Sequence, residues 1–366
     1  MKVLSPLNFY QKFQNKTPTF LFERRILIER IKRLKGASEK RKARIFHFYP
    51  LKANFYSGIL ETVLNFGFGL EVASLREMKL AKEAGAKKIV FNGPAKTKKE
   101  IDFVIKNFDE VLINLDSFEE LNLIKKLKSG LKIGIRVWTP SLKSWARFGI
   151  PLLSLKKFLS LANKKGIKIS AIHFHSSWNK ESKIYLRALK EIKDYFLKNL
   201  EEKEIESFEI FDIGGGLLIE EEGGEKIEKF FDRIENFWER EMKPIFPKIK
   251  IFTEFGRWLV SHCFHIFLKV VEKKNENLVV LDGGTDNFGF SQKNNPFAPL
   301  NISNFSKKKM KIKLVGSLCS IYDVWANEIF AKKIEKGDLI LFPFQGAYNF
   351  NLKTEFIRDS ARVIEI

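Results

Sequence analysis

Eight short apolar runs, separated by amphipathic segments at intervals of roughly twenty to forty residues, set the strongest limit on how this chain folds. The runs are Ile45 to Leu51, Leu70 to Ala73, Ile89 to Phe91, Val111 to Leu115, Leu131 to Trp138, Ile169 to Phe174, Phe208 to Ile213 and Ile249 to Thr253. Each is β-branched or aromatic and follows a polar or glycine-containing turn, as a buried parallel strand does. Segments such as Leu75 to Ala84, Lys99 to Asn107 and Ser182 to Asn199 carry apolar residues at helical spacing between them. Eight strands alternating with helices predict an α/β chain closed into a (β/α)8 barrel, with its site at the carboxyl ends of the strands.

The alternation stops after residue 260. Phe264 to Val271, Leu278 to Leu281, Ile312 to Val315 and Leu339 to Phe342 are extended apolar stretches broken by Gly, Asn and Pro, which predicts a second, β-rich domain. Near the start, Thr17-Pro18-Thr19-Phe20-Leu21-Phe22 reads as a short strand outside the barrel sheet. The expected division is a barrel over 25–260 and a β-rich domain built from 1–24 plus 261–366. The run Lys307-Lys308-Lys309 is expected in a loop.

The 366 residues allow one large core and a smaller one. No apolar run is long enough for a bilayer, and Met-Lys-Val-Leu-Ser-Pro lacks the apolar stretch of a secretory signal, so the expected compartment is cytoplasmic and no membrane partner is expected. A net charge of +21 ordinarily raises nucleic-acid binding. Here Lys79, Lys82, Lys87, Lys88, Lys98 and Lys99 are scattered over helix faces, which favours solvated lysines and no nucleic-acid partner. The two cysteines, Cys263 and Cys319, make neither a disulfide framework nor a metal cluster.

The strand ends carry the chemistry. Lys52 follows the first run in Phe48-Tyr-Pro-Leu-Lys-Ala-Asn-Phe55; alone it reads as a lysine snorkelling at the sheet rim. The seventh run ends in Asp212-Ile213-Gly214-Gly215-Gly216, where backbone amides approach an anion without Cβ interference. The eighth ends in Thr253-Glu254-Phe255-Gly256-Arg257, and barrels commonly bind phosphate in the loops after strands seven and eight. The sixth ends in His173-Phe174-His175-Ser176-Ser177-Trp178, of which His175 is the histidine chosen for a functional role.

Tyr49-x-x-Lys52-Ala53-Asn54 resembles the cofactor-lysine motif of pyridoxal 5'-phosphate enzymes with the alanine racemase-like barrel fold. Lys52, His175, Gly214 to Gly216, Glu254, Gly256, Arg257, Cys319, Asp323 and Tyr348 also follow the order and spacing of the ornithine/diaminopimelate/arginine decarboxylase family over nearly the whole chain. The resemblance implies that Lys52 carries pyridoxal 5'-phosphate through its amine and that His175 stacks on the ring. It places Gly214, Gly215, Gly216, Gly256, Arg257 and Tyr348 at the phosphate and Glu254 at the pyridine nitrogen. Cys319 is then the candidate proton donor, reaching the site from the partner in a homodimer with shared sites. Asp323, Ser320 and Arg147 are assigned to the substrate.

The chain departs from the family pattern in four places, of which the last two bear on substrate. The family's His-x-Gly-Ser is His175-Ser176-Ser177-Trp178, its Glu-Pro-Gly-Arg is Glu254-Phe255-Gly256-Arg257, and Ser320 stands where an acid commonly follows the cysteine. The loop after Asp282-Gly283-Gly284 has Asn295 and Phe297 flanking Pro296, where diaminopimelate decarboxylases carry an arginine for the distal carboxylate. Lys293 and Arg147 are the cations that can replace it. The resemblance thus implies a decarboxylase removing the α-carboxylate of an amino acid or amino-acid-derived intermediate. Members that process siderophore precursors or carrier-bound glutamyl groups are the expected kind. The alternatives are a meso-diaminopimelate decarboxylase of lysine biosynthesis, an amino-acid racemase and a non-catalytic cofactor-binding protein.

Overall fold

All eight expected barrel strands form in the computed structural model of the chain, which describes residues 5–124, 129–291 and 296–366. They are Arg44–Pro50, Gly69–Val72, Lys88–Phe91, Glu110–Leu115, Leu131–Trp138, Ile169–His173, Ile210–Asp212 and Lys250–Thr253. Each pairs in parallel with its neighbours, and the last closes on the first with Ile251 opposite Ile45. A two-residue strand, Ile150–Pro151, adds to Leu131–Trp138. It is too short to leave a periodic signal in the sequence.

The crossovers include the helices Ser57–Asn65, Leu75–Glu83, Lys98–Asn107, Leu155–Lys164, Lys183–Asn199 and Ile227–Phe237. Local chemistry sets where they begin. Ser74 accepts the Glu77 N–H, and Thr97 and Glu100 cap each other's backbone reciprocally, each satisfying amides that the helix cannot. In Lys183–Asn199 the buried Tyr185, Ala188, Leu189, Ile192 and Phe196 lie on one helical stripe that covers the strands.

Side-chain alternation organises the barrel interior into layers. Phe48, Val90, Leu112, Ala171, Ile210 and Phe252 form one apolar cluster on the inner face. Two residues further along the same strands, and so on the same face, stand Asn92, Asn114, His173, Asp212 and Glu254, all buried. The interior therefore changes from hydrocarbon to polar in one step toward the carboxyl ends. That step is the floor of the site.

The chain divides into two units: residues 31–52 with 60–258, and residues up to Arg30 with 53–59 and 259–366. The second unit is built on an eight-stranded sheet that includes Thr19–Phe22, Phe264–Asn275, Leu278–Leu281, Lys309–Val315, Val324–Phe330, Leu339–Phe342 and Val363–Glu365. The early strand Thr19–Phe22 joins it, antiparallel to Phe264–Asn275 and parallel to Val363–Glu365. Tyr10, Leu21, Phe267, Leu300 and Leu341 pack in its core. The buried Glu23 accepts hydrogen bonds from Tyr10 Oη at 2.7 Å and His265 Nε2 at 3.0 Å. The lysine run corrects one expectation: Lys309 opens a strand, because its Nζ pairs with Glu328 and lies 5.4 Å over Phe330 on the neighbouring strand.

Candidate functional site

Lys52 lies just beyond the first barrel strand, and its Nζ is paired with the carboxylate of Glu71 on the second. Glu71 is fully buried, and its other oxygen has no hydrogen-bond partner among the described residues. In the helix that follows, burial and the Glu71 charge push the Glu77 carboxyl up to about 7, although the Ala73 N–H bonds to it. An amine is thus held at the rim of the apolar barrel by a carboxylate that has no other escape from burial. Glu71 and Glu77 were not singled out in the sequence, although an acid between Leu70 and Val72 in an apolar strand is a visible signal.

His175 follows the sixth strand. Its Nδ1 accepts the Gly215 N–H at 3.2 Å, and its ring lies edge-on to Trp145 with centroids 5.2 Å apart. Burial, with the Lys52 and Arg136 charges, drives its pKa well below the usual value, so the imidazole is neutral. His173, deeper in the barrel, is shifted the same way by burial, and neither of its nitrogens has a partner among the described residues.

Glu254 ends the eighth strand and is 2% exposed. Its Oε1 accepts from Asn92 Nδ2 at 2.5 Å, whereas no N–H donor among the described residues reaches Oε2. Burial and the charges of Asp212 and Glu71 raise its pKa well above the carboxylate range. Asp212, pushed up to about 7 by burial, accepts the Gly214 N–H at 3.0 Å and Asn114 Nδ2 at 3.4 Å. Asn114 also donates to Asn92 at 2.7 Å, which links the two acids through amides. Asn92, Asn114, Asp212 and Arg136 are inner-face residues whose part in the site emerges only from the barrel's register.

The glycine turn is required by close approach. A Cβ on Gly215 would lie 1.9 Å from the Glu254 carbonyl, and one on Gly216 would lie 2.0 Å from the Ser176 carbonyl. Gly214 and Gly216 also hold φ of +66° and +91°, a region costly for other residues. Tyr185 Oη donates to the Gly215 carbonyl at 2.7 Å and receives Asn179 Nδ2 at 3.0 Å, while Ser176 Oγ donates to Asn179 at 3.0 Å. Ser176, at the variable position of the family motif, is therefore built into the support of this turn. The amides of Gly214 and Gly215 are already committed to Asp212 and His175.

Gly256 begins the short helix Gly256–Val260. Arg257 pairs with Glu222 at 3.1 Å and stacks at 4.4 Å on Trp178. Trp178 holds a φ of +61°, strained for a large side chain. Arg147 is exposed, its guanidinium 4.8 Å over Phe148.

The remaining expected residues lie in the β-rich unit. Cys319 is a free, exposed thiol and Ser320 is half-buried beside it. Asp323 is buried; its Oδ1 accepts from Thr285 N and Oγ1, and its Oδ2 accepts from Leu318 N at 2.8 Å. The expected substrate ligand thus meets a carboxylate already engaged on both oxygens, holding the loop that presents the cysteine. Tyr348 has a φ of +75°, and its N–H donates to the Ala53 carbonyl at 2.6 Å. Phe297 packs on Phe344 with ring centroids 4.9 Å apart. Lys293 and Asn295 lie outside the described residues.

The residues around the barrel mouth fit pyridoxal 5'-phosphate: a rim amine, a neutral buried imidazole, a buried carboxyl with an oxygen that no N–H donor among the described residues reaches, and a turn that only glycine can form. Residues 27–261 match the family described as pyridoxal-dependent decarboxylase, pyridoxal binding domain. The chain is 25% identical to a diaminopimelate decarboxylase of Campylobacter jejuni, covering 93% of this chain and 88% of that protein. It is 24% identical to antizyme inhibitor 2 of Xenopus laevis, over 86% and 74%. It is 26% identical to the 2-[(L-alanin-3-ylcarbamoyl)methyl]-2-hydroxybutanedioate decarboxylase of Staphylococcus aureus, over 83% of each. The crystal structure of a diaminopimelate decarboxylase from M. jannaschii in complex with L-lysine superposes with a TM-score of 0.84 at 22% identity, over 98% of this chain and 89% of that one.

Proposed function

The chain belongs to the pyridoxal-dependent decarboxylase family, and on that premise we propose that it removes the α-carboxylate of an amino-acid conjugate other than free meso-diaminopimelate. The cofactor is pyridoxal 5'-phosphate, which when bound supplies the electron sink for the pair released as carbon dioxide departs. Lys52 is the residue that would hold it covalently. Glu254 would face the pyridine nitrogen, His175 the ring, and Gly214 to Gly216, Gly256, Arg257 and Tyr348 the phosphate.

The observation that carries this reading is the pairing of Lys52 with a buried glutamate on one side of the barrel mouth and, on the other, the buried Glu254 carboxyl whose Oε2 no N–H donor among the described residues reaches. Glu71 keeps the Lys52 amine oriented, and the Asn92 donor keeps Glu254 aimed. The neutral imidazole of His175 offers a flat face without a competing charge. For Arg257 to take a phosphate it must leave or share the Glu222 pair, a charge-assisted exchange of one oxyanion for another.

The substrate reading rests on the missing arginine beside Pro296 and on Ser320. A buried carboxylate that loses its guanidinium partner forfeits about 2 to 5 kcal/mol, so meso-diaminopimelate binds weakly here. The Staphylococcus aureus relative acts on a bulky polycarboxylated conjugate of an amino acid, the class proposed. The Campylobacter jejuni relative favours the second reading, diaminopimelate itself. Carbon dioxide release from purified holoenzyme decides between them: a kcat/KM on meso-diaminopimelate of about 10⁴ M⁻¹s⁻¹ or more makes the second reading the correct one.

Cys319 is proposed to donate the proton to the product, from the partner subunit of a homodimer. Its exposure beside Ile321 and Tyr322, each 85% exposed, supports this reading. Mixing Lys52→Ala and Cys319→Ala chains is expected to restore activity in heterodimers. Heterodimers that form and stay inactive refute shared sites.

A further inference from the structure

The amino-terminal end of the barrel, opposite the strand ends that carry Lys52 and Glu254, holds a cavity of about 240 Å³. Its floor is the apolar cluster that includes Phe48, Leu112, Ile210 and Phe252. Barrel interiors are ordinarily closed by layers of bulky branched side chains. Here the layer between the floor and the mouth departs from that rule. Lys88, Glu110 and Lys250 stand two residues before Val90, Leu112 and Phe252, and strand alternation therefore puts all three on the inner face. Lys132 lines the same opening.

Long cations in place of a hydrocarbon plug leave volume above the floor and carry their ammonium groups out to the mouth. Lys88 lies 3.6 Å from Glu110, and Lys132 is paired with Glu209. Lys250 has no ion pair among the described residues, and its Nζ sits 5.8 Å over the ring of Phe46, which is 38% exposed. The opening therefore combines an aromatic and aliphatic floor with a surplus of positive charge at the rim. That combination is complementary to a small molecule with an apolar body and one anionic end. The volume lies below the usual range for ligand pockets, roughly 300 to 1,000 Å³, and so selects a small occupant.

We propose that this cavity binds a short-chain or aromatic monocarboxylate, its apolar end on Phe48 and Phe252 and its carboxylate among Lys250, Lys88 and Lys132. The inference is independent of the decarboxylase reading, since none of these residues serves the cofactor. The test is calorimetric titration of the holoenzyme with hexanoate, alongside hexylammonium and acetate. Hexanoate is expected to bind saturably at one per chain, hexylammonium and acetate at least about tenfold more weakly, and hexanoate affinity is expected to fall with added salt.

Leu112→Trp, which fills the cavity, is expected to abolish hexanoate binding. Lys250→Glu, at the solvent-facing rim and without a core to disturb, is expected to weaken it about tenfold. Both variants are expected to keep the parent decarboxylation rate, which shows that they fold. Absence of saturable binding overturns the proposal. So does equal binding of hexylammonium, or hexanoate binding that survives Lys250→Glu unchanged in an active variant.

Discussion

Glu254→Gln separates the proposed catalytic use of this carboxyl from its structural cost. The substitution keeps the oxygen that accepts from Asn92 Nδ2 and the side-chain volume, so the buried packing survives. It replaces Oε2, which no N–H donor among the described residues reaches, by an NH₂ that accepts nothing. If Glu254 holds the proton of the cofactor's ring nitrogen, kcat falls by about 10² to 10³, or about 2.7 to 4 kcal/mol, the usual effect of deleting one preorganised electrostatic partner. The stability effect has the opposite sign. Burial, Asp212 and Glu71 raise the folded-state pKa of Glu254, so the native cofactor-free protein prefers the neutral acid. The contribution of Glu254 to native stability is then fully present below the unfolded carboxyl pKa, about 4.3, and is lost as pH rises toward and through the folded value. The substituted amide is neutral throughout, so the Tm of the cofactor-free variant is expected to exceed the parent's at pH 8 and to match it near pH 4. Steady-state carbon dioxide release and calorimetry read both arms. A variant that retains kcat within about threefold, or whose Tm advantage does not grow with pH, refutes the argument.

Three further outcomes follow from the same geometry. Borohydride treatment of the holoenzyme is expected to bleach its visible band and leave a pyridoxyl adduct on Lys52; an adduct on another lysine removes Lys52 from its role. Gly215→Ala puts a Cβ 1.9 Å from the Glu254 carbonyl, an overpacking cost of about 1 to 3 kcal/mol, and is expected to lower both Tm and cofactor affinity, whereas unchanged affinity shows the turn to be uninvolved. Glu77, raised to about 7 by burial and Glu71, makes the cofactor-free protein lose up to about 3 kcal/mol between pH 4.5 and 7; Glu77→Gln is expected to flatten that part of the Tm profile, and an unaltered profile contradicts the shift.

The barrel was legible because its strands are buried on both faces, and a strand with no solvent-facing side reads as a continuous apolar run. All eight appear where those runs stand. Lys52, His175, the three glycines and Glu254 were legible for a related reason, since each follows directly on a strand and the carboxyl ends of a barrel converge. What the sequence hid were the partners set by register. Glu71 and Asp212 sit inside the apolar runs, where one polar residue looks like a tolerated exception. Val324–Phe330 escaped because its alternation is interrupted by Ala326, Asn327 and Glu328, and Arg257 looked available because its partner Glu222 lies thirty-five positions away.

The polar floor explains why these hidden residues matter together. Glu71, Asp212 and Glu254 are three buried acids, with Lys52 and Arg136 as the cations whose charges act on them. Burial disfavours the charged form of an acid. Glu71 is compensated by direct pairing with Lys52, whereas Asp212 and Glu254 are shifted upward and joined through Asn114 and Asn92. Any reaction that consumes the Lys52 ammonium strips Glu71 of its partner and makes the remaining charges costlier. If Glu254 faces the pyridine nitrogen as proposed, it would be the acid that gains a positive neighbour and so offsets that cost, since no N–H donor among the described residues reaches its Oε2. On that proposal Lys52 and Glu254 would be energetically coupled through the acids between them. The coupling predicts that Glu71→Gln, which removes the acid stranded when the Lys52 ammonium is consumed, binds cofactor at least as tightly as the parent at low and high salt alike, because buried charges are little screened. Weaker cofactor binding in this variant would leave Glu71 a local anchor for Lys52 and nothing more.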